Sequence, residues 1–314
     1  MHVLLLLGGM GVLYFGADWL VRGAARLASA LGVSAIVVGL TVVSLGTSAP
    51  ELVVCLVAAL QGNSDLAMGN VMGSNLANLG LILGLTAVVR PLQVASRVTK
   101  REIPLMLIIT ALLYPLAMNG ELDRLDGMAL LVYLGAYLVF VFRTVVVEDP
   151  GVLGEYEEFA REAQHTDRGV RASDIGLVVA GCAGLVLGGY AIVEGAVYVA
   201  DALGVPQVII GLTLVAIGTS LPELATTLVA ALRDESDIAV GNIIGSNIFN
   251  VAAILGITSI VTPVSVAPSV LSQELPAVLL VSLLVVPLAR GGAITRWQGG
   301  VLLASYAGVG FWLL

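Results

Sequence analysis

Long apolar segments, separated by short polar connections, run through the whole chain. A helix that spans a bilayer needs about 20 mostly apolar residues, and ten segments approach or exceed that length. They lie at 3–25, 34–60, 66–89, 102–118, 126–146, 175–200, 206–232, 238–261, 272–289 and 297–314. This pattern predicts an all-α polytopic membrane protein with ten transmembrane helices.

The composition agrees with a membrane protein. The 314 residues are 58% hydrophobic and 11% charged, whereas soluble domains are about 25% charged. Much of the formal net charge of −8 comes from residues 147–174, a polar stretch between two apolar halves. We interpret it as a solvated linker, with a cation-sensing role for its acids as the alternative. The sequence indicates no disulfide framework, bound cofactor, nucleic-acid partner or oligomer.

One block of sequence occurs twice. Residues 30–91 align with residues 202–263 without a gap at a constant offset of 172, and 34 of the 62 pairs are identical. The blocks place one half at 1–146 and the other at 175–314, with five predicted helices in each. Because five is odd, the second half must enter the membrane from the opposite side. The sequence therefore predicts two inverted five-helix repeats.

The basic residues test this topology independently, because the cytoplasmic connections of membrane proteins carry an excess of Lys and Arg. With the N-terminus outside, the outer connections hold only Arg124, and the inner connections hold 13 of the 14 basic residues. The inner set is Arg22, Arg26, Arg90, Arg97, Lys100, Arg101, Arg143, Arg161, Arg168, Arg171, Arg233, Arg290 and Arg296. We therefore expect an inner (plasma) membrane protein with both termini outside and the 147–174 linker in the cytoplasm.

A motif that breaks helices carries a glutamate inside each copy of the block. Gly46-Thr47-Ser48-Ala49-Pro50-Glu51 returns as Gly218-Thr219-Ser220-Leu221-Pro222-Glu223. Pro50 cannot donate to the Gly46 carbonyl and clashes with it, so the second helix, and by repetition the seventh, is predicted to break here. A carbonyl freed inside lipid costs several kcal/mol unless it finds a partner, and a bound cation is such a partner.

Polar side chains on the next helix complete a candidate cation site. Ser74 and Asn78 lie four residues apart and share one helix face, and Ser246 and Asn250 repeat the pair. The same segments contain glycines four residues apart, which predict close helix packing. These glycines are Gly69, Gly73, Gly241 and Gly245.

The combined ligand set consists of hydroxyl, carbonyl, amide and carboxylate oxygens. Oxygen ligands select hard cations such as Na⁺, Ca²⁺, K⁺ or Mg²⁺ rather than zinc or copper. Burying an unpaired carboxylate costs several kcal/mol, so the site would cross the membrane poorly without a cation. This favours obligatory exchange of one cation load for another. Proline kinks and glycine pairs alone are mostly structural, but two glutamates in duplicated broken helices favour a functional site.

The two blocks resemble the alpha-repeats of the cation/calcium exchanger superfamily, in particular bacterial homologues of sodium/calcium exchangers. The resemblance covers nearly the whole chain and implies two inverted five-helix halves that work by alternating access. It implies that Glu51 and Glu223 are the central acids. The other implied ligands are Thr47, Ser48, Thr219, Ser220, Ser74, Asn78, Ser246 and Asn250, with backbone carbonyls near Ser44 and Ala216.

Asn250 departs from the family pattern, because several members carry aspartate at this position. The site then has two carboxylates rather than three. This leaves the K⁺ dependence and the stoichiometry of transport open.

The resemblance implies a secondary antiporter in the lipid bilayer that exchanges Na⁺ for Ca²⁺. An H⁺/Ca²⁺ antiporter of the same fold is an alternative, because glutamates also carry protons. A cation channel or an intramembrane enzyme is a further alternative, although an enzyme needs a nucleophile or metal cluster. His2 and His165 lie at the N-terminus and in the linker, away from the motif. Flux driven by a pH gradient alone, or flux without a counter-ion, would discriminate these alternatives.

Overall fold

The computed structural model describes residues 2–144, 169–202 and 216–313. Most of the predicted linker and residues 206–215 of the predicted seventh span lie outside the described residues. The helices are α1 (His2–Leu31), α2 (Ala35–Thr47), α3 (Ala49–Leu60), α4 (Ser64–Val89), α5 (Ile103–Ala117), α6 (Arg124–Thr144), α7 (Ala172–Ala202), α8 (Ala216–Thr219), α9 (Leu221–Leu232), α10 (Ser236–Val261), α11 (Val270–Ala289) and α12 (Arg296–Leu313).

Among the described helices, six are long and apolar enough to cross a membrane, and the bent pair α2–α3 can count as a seventh span. α9 is a shorter apolar helix. Large apolar side chains such as Leu45, Val53 and Leu60 are exposed. Such surfaces suit contact with lipid rather than water. The prediction of a mostly helical protein with several membrane spans is confirmed.

Both predicted helix breaks occur at serines. Ser48 (φ −85°, ψ 6°) separates α2 from α3, and these two helices are bent by 45°. Ser220 (φ −89°, ψ 4°) separates α8 from α9. Pro50 and Pro222 lie in the first turn of the helix that follows. The missing N–H of proline is harmless there, because the first N–H groups of a helix have no partner within it.

Wider helical turns accompany the site helices. α4 contains a π-helical segment at Ala77–Ile82, and α10 contains one at Asn250–Leu255. A third segment, Gly39–Val43, lies in α2 before the break. π-helical turns are rare and occur mostly at functional sites. Two of these segments contain the predicted ligands Asn78 and Asn250, whereas the segments Val98–Glu102 and Val270–Glu274 contain none.

Four two-residue strands, which the sequence pattern does not predict, connect the two repeats. They are β1 (Leu92–Gln93), β2 (Glu121–Leu122), β3 (Val264–Ser265) and β4 (Ala293–Ile294). β1 pairs antiparallel with β4, with Leu92 opposite Ile294, and β2 pairs antiparallel with β3, with Leu122 opposite Val264. The repeat offset of 172 converts one pairing into the other. Each strand pair therefore joins one strand of the first repeat to one strand of the second, and the repeat relation converts one pair into the other.

The first helices of the two repeats, α1 and α7, pack closely along glycines. A Cβ atom added to Gly16 would lie 2.7 Å from the Leu185 backbone nitrogen. One added to Gly188 would lie 2.5 Å from the Leu13 backbone nitrogen. Small residues let the backbones of membrane helices approach in this way. The α1–α7 pair thus forms a close backbone contact between the repeats.

Ion pairs connect several helix ends. Asp18 in α1 is 3% exposed and contacts Arg22 at 2.8 Å, and Arg233 at the end of α9 contacts the same carboxylate. Arg90 at the end of α4 pairs with Asp234. Asp18 therefore connects α1 of the first repeat to α9 of the second.

Asp18→Asn is expected to lower the free energy of unfolding by about 1–2 kcal/mol. It removes the charge that Arg22 and Arg233 share, and the effect is moderate because both arginines are partly exposed to solvent screening. The measurement is the melting temperature of the purified protein in detergent. Asp234→Asn is the control, because its exposed pair with Arg90 should contribute no more than about 1 kcal/mol. Equal shifts for the two variants would contradict this interpretation.

Candidate cation site

The two predicted glutamates lie between the broken helices, and each is bound by a serine of the other repeat. Ser48 Oγ donates to Glu223 Oε1 at 3.0 Å, and Ser220 Oγ donates to Glu51 Oε1 at 3.4 Å. Both glutamates are 0% exposed. The repeat offset converts one hydrogen bond into the other. The structure thus brings four predicted site residues from both repeats into one cluster.

The helix breaks place each carboxylate where a helix favours negative charge. Glu51 lies in the first turn of α3, and Glu223 lies in the first turn of α9. The first turn has N–H groups without intrahelical partners and the positive end of the helix dipole. Because each break is followed at once by proline and glutamate, the motif itself positions the acid at a helix N-terminus. This location offsets part of the cost of burying the charge.

Several buried atoms of the predicted ligands have no hydrogen-bond partner among the described residues. They are Glu51 Oε2, Glu223 Oε2, Asn78 Oδ1, Asn78 Nδ2 and Asn250 Oδ1. An unsatisfied buried polar atom costs about 1–3 kcal/mol, and more when it is charged. Folded proteins therefore leave few such atoms, and those that remain need an explanation. Four of these five atoms are oxygens of predicted ligands, which fits a site for a hard cation.

Hydroxyl groups from both repeats lie beside the carboxylates. Ser74 Oγ lies 3.4 Å from Ser220 Oγ, and Ser246 Oγ lies 3.5 Å from Thr47 Oγ1. Ser74, Ser246 and Thr47 are buried, and Thr219 is 8% exposed. Hydroxyl oxygens are suitable additional ligands for Na⁺ or Ca²⁺. Ser74 thus contacts the serine that binds Glu51, and Ser246 contacts the threonine of the motif that carries Glu51.

The predicted carbonyl ligands are placed differently. The Ser44 carbonyl accepts the Ser48 N–H at 3.0 Å, and Thr47 Oγ1 lies 3.3 Å from it. Because the single Thr47 hydroxyl proton is donated to Asn242 Oδ1 at 3.0 Å, one lone pair of the Ser44 carbonyl stays available. The Ser44 hydroxyl donates to the Gly39 carbonyl at 2.7 Å, within the π-helical turn of α2. Ala216 is the first residue of α8.

Two asparagines without a predicted role contact predicted ligands. Asn242 Oδ1 accepts the Thr47 hydroxyl at 3.0 Å, and Asn242 Nδ2 donates to Thr227 Oγ1 at 3.0 Å. Asn75 Oδ1 accepts Asn250 Nδ2 at 3.0 Å. The available signal was their place in the repeated Gly-Asn and Gly-Ser-Asn motifs. Sequence reasoning named the candidate ligands but gave no role to the two asparagines that contact some of them.

α10 is more completely enclosed than its counterpart α4. Every residue of Ile238–Phe249 is buried. A Cβ atom added to Gly245 would lie 2.7 Å from the Leu40 carbonyl oxygen, whereas one added to Gly73 meets no described atom within 4 Å. The close packing predicted from the glycines is therefore observed at Gly245. Leu212, the repeat counterpart of Leu40, lies outside the described residues.

The apolar spans and the buried polar centre define a multi-pass integral membrane protein. The model of the sodium/calcium exchanger protein family matches residues 1–143 and 173–314. The sodium/calcium exchanger MaX1 of Methanosarcina acetivorans is 37% identical in an alignment of 339 positions that covers 97% of this chain and 96% of the relative. The chain belongs to the sodium/calcium exchanger family, and the resemblance seen in the repeats is confirmed.

Two further proteins are similar over most of the chain. The inner membrane protein YrbG of Escherichia coli is 38% identical over 284 residues, which cover 89% of this chain and 86% of the relative. A solved structure of the sodium-calcium exchanger NCX_Mj, soaked with zero Na⁺ and Ca²⁺, has a TM-score of 0.84 and 31% sequence identity. The match covers 100% of this chain and 99% of that one.

Proposed function

We propose that this protein exchanges Na⁺ for Ca²⁺ across the inner membrane as a secondary antiporter. The carrying observation is the pair of fully buried glutamates, one from each repeat, each with one oxygen unpartnered among the described residues. Two negative charges balance one Ca²⁺ and also attract two or three Na⁺. MaX1 and NCX_Mj are both named sodium/calcium exchangers, which supports the same pair of ions here.

The proposed ligands are the carboxylates of Glu51 and Glu223, supported by hydroxyl and amide oxygens of the surrounding helices. The supporting set is Thr47, Ser48, Thr219, Ser220, Ser74, Asn78, Ser246 and Asn250, with the carbonyls of Ser44 and Ala216. The Ser44 carbonyl can offer a lone pair to a cation while it accepts the Ser48 N–H. Glu51 and Glu223 can serve Na⁺ and Ca²⁺ in turn, which makes binding of the two ions competitive.

The proposed architecture is ten transmembrane helices in two inverted repeats, 1–146 and 175–314, with the linker in the cytoplasm and both termini outside. The odd helix number of each half and the 13 basic residues on one side support this topology. The two strand pairs, which the repeat relation converts into each other, support a two-fold relation between the repeats. The name of the inner membrane protein YrbG supports the location.

Alternating access is favoured because exposing the charged, cation-free site to the other side of the membrane costs free energy. Both carboxylates are fully buried, so an unneutralised pair would have to stay charged in a medium of low dielectric constant. Exposure of the site to the other side is then favourable only when cations are bound. The full burial also supports an occluded site rather than an open pore. This physical argument favours exchange over uncoupled leakage.

Ca²⁺ uptake into proteoliposomes tests this function. Vesicles loaded with Na⁺ and diluted into Na⁺-free buffer should take up Ca²⁺ in the presence of a protonophore, and vesicles without internal Na⁺ should not. A parallel series with and without K⁺ determines whether K⁺ is co-transported. Uptake that fails under the Na⁺ gradient but follows an imposed pH gradient would overturn Na⁺ coupling and establish the proton exchanger instead.

A further inference from the structure

Asn75 in α4 connects the two repeats through its amide group. Asn75 Nδ2 donates to the Asn247 carbonyl oxygen at 3.3 Å, and Asn75 Oδ1 accepts Asn250 Nδ2 at 3.0 Å. Asn75 and Asn250 are each 0% exposed. Both hydrogen bonds join the first repeat to α10 of the second. One buried side chain thus contacts a main-chain group and a proposed ligand together.

The direction of these hydrogen bonds follows from the chemistry of the groups. A backbone carbonyl can only accept, so Asn75 must turn its Nδ2 toward Asn247. Its Oδ1 then faces Asn250 and can only accept, so Asn250 must present its Nδ2. The atom of Asn250 left over is Oδ1, which has no partner among the described residues. The carbonyl of Asn247 therefore determines, through Asn75, which Asn250 atom is free.

We infer that Asn75 is a positioning residue that holds the Asn250 amide with its oxygen available to the transported cation. The inference rests on the proposed function, because it assumes that Asn250 is a ligand. An amide that rotated by half a turn would present N–H groups, which repel a cation. Residues that orient metal ligands typically contribute 10–100-fold to metal affinity. Asn75 would act on Ca²⁺ affinity without touching the ion.

The equivalent pair in the other repeat lacks this arrangement. Asn247, the counterpart of Asn75, donates to the Ile243 carbonyl of its own helix at 2.8 Å, and its Oδ1 is unpartnered in the described part of the chain. Both amide atoms of Asn78, the counterpart of Asn250, are also unpartnered there. The contact between Asn75 and Asn250 is therefore specific to one side of the site. Packing of the repeated motif alone does not explain it.

A double-mutant cycle on Ca²⁺ affinity tests this role. The full-length protein in detergent is titrated with Ca²⁺ in Na⁺-free buffer, and the apparent dissociation constant is taken from the rise in melting temperature. Asn75→Ala should raise that constant about tenfold or more in the wild-type background. In the Asn250→Ala background the same substitution should have little further effect, because the oriented amide is already gone. A purely structural role would persist in both backgrounds.

Asn247→Ala is the matched control. It removes an equally buried asparagine at the equivalent position but leaves the carbonyl that Asn75 contacts. Its effect should add to that of Asn250→Ala rather than disappear. If Asn75→Ala does not fold, Asn75→Ser is used, because serine is too short to reach Asn250. Additive effects of Asn75 and Asn250, or an unchanged Ca²⁺ constant in the Asn75 variant, would overturn the inference.

Failure of the inference and failure of the proposed function give different results. If wild-type protein shows Na⁺-driven Ca²⁺ uptake while the Asn75 and Asn250 variants are additive, only the positioning role is wrong. If wild-type protein neither transports Ca²⁺ nor is stabilised by it, the proposed function itself fails, and the inference fails with it.

Discussion

We expect Glu51→Gln and Glu223→Gln each to reduce Na⁺-driven Ca²⁺ uptake to the rate of protein-free liposomes, while the protein remains folded. Glutamine keeps an oxygen that can accept the hydrogen bond from Ser220 or Ser48, so the packing between the repeats is retained. It removes one of the two charges that neutralise Ca²⁺. Initial uptake rates in proteoliposomes measure the loss, and gel filtration with melting temperature verifies folding.

Glu274→Gln is the control for this result. Glu274 is the last residue of the π-helical segment Val270–Glu274 at the start of α11 and the repeat equivalent of Glu102, and no hydrogen bond or ion pair of the described residues joins it to a proposed ligand. Its substitution should leave uptake within about twofold of wild type. Normal uptake by either the Glu51 or the Glu223 variant would show that the site is elsewhere.

Gly245→Ala is expected to lower the free energy of unfolding by about 3 kcal/mol, at the upper end of the cost of overpacking. The added methyl group would lie 2.7 Å from the Leu40 carbonyl oxygen and 2.9 Å from its Cα atom. These are backbone atoms, which cannot rotate away as a side chain can. α10 would have to move from α2, and the contact between Thr47 and Ser246 would lengthen. We therefore expect both a lower melting temperature and slower Ca²⁺ uptake.

Gly135→Ala in α6 is the control. An added methyl group there meets no described atom within 4 Å. Its melting temperature in detergent should stay close to that of wild type. Equal destabilisation by the two substitutions would mean that the close packing of α10 on α2 at Gly245 is not the cause.

The two central glutamates could be predicted because the same motif occurs in both repeats. Proline, and the glutamate that follows it, determine where the helix restarts and which acid lies in its first turn, and both breaks occur within the motif. The positions of Glu51 and Glu223 therefore followed from local chemistry. Their pairing with Ser220 and Ser48 required the three-dimensional contact between repeats.

The differences between the repeats could not be predicted, because the motifs are nearly identical. Asn75 contacts Asn250, whereas Asn247 contacts its own helix. Such differences depend on how the two halves are arranged in one conformation. A sequence specifies both halves but does not show which arrangement they adopt.

The most direct test of the central claim is to locate a bound divalent cation by anomalous diffraction from crystals soaked in Sr²⁺, which substitutes for Ca²⁺. We predict one anomalous peak with oxygens of both Glu51 and Glu223 at roughly the 2.3–2.6 Å typical of such ligands. The peak should disappear when Na⁺ is added in excess. A peak that contacts only one glutamate, or that lies away from the helix breaks at Ser48 and Ser220, would contradict a cation site shared by the two repeats.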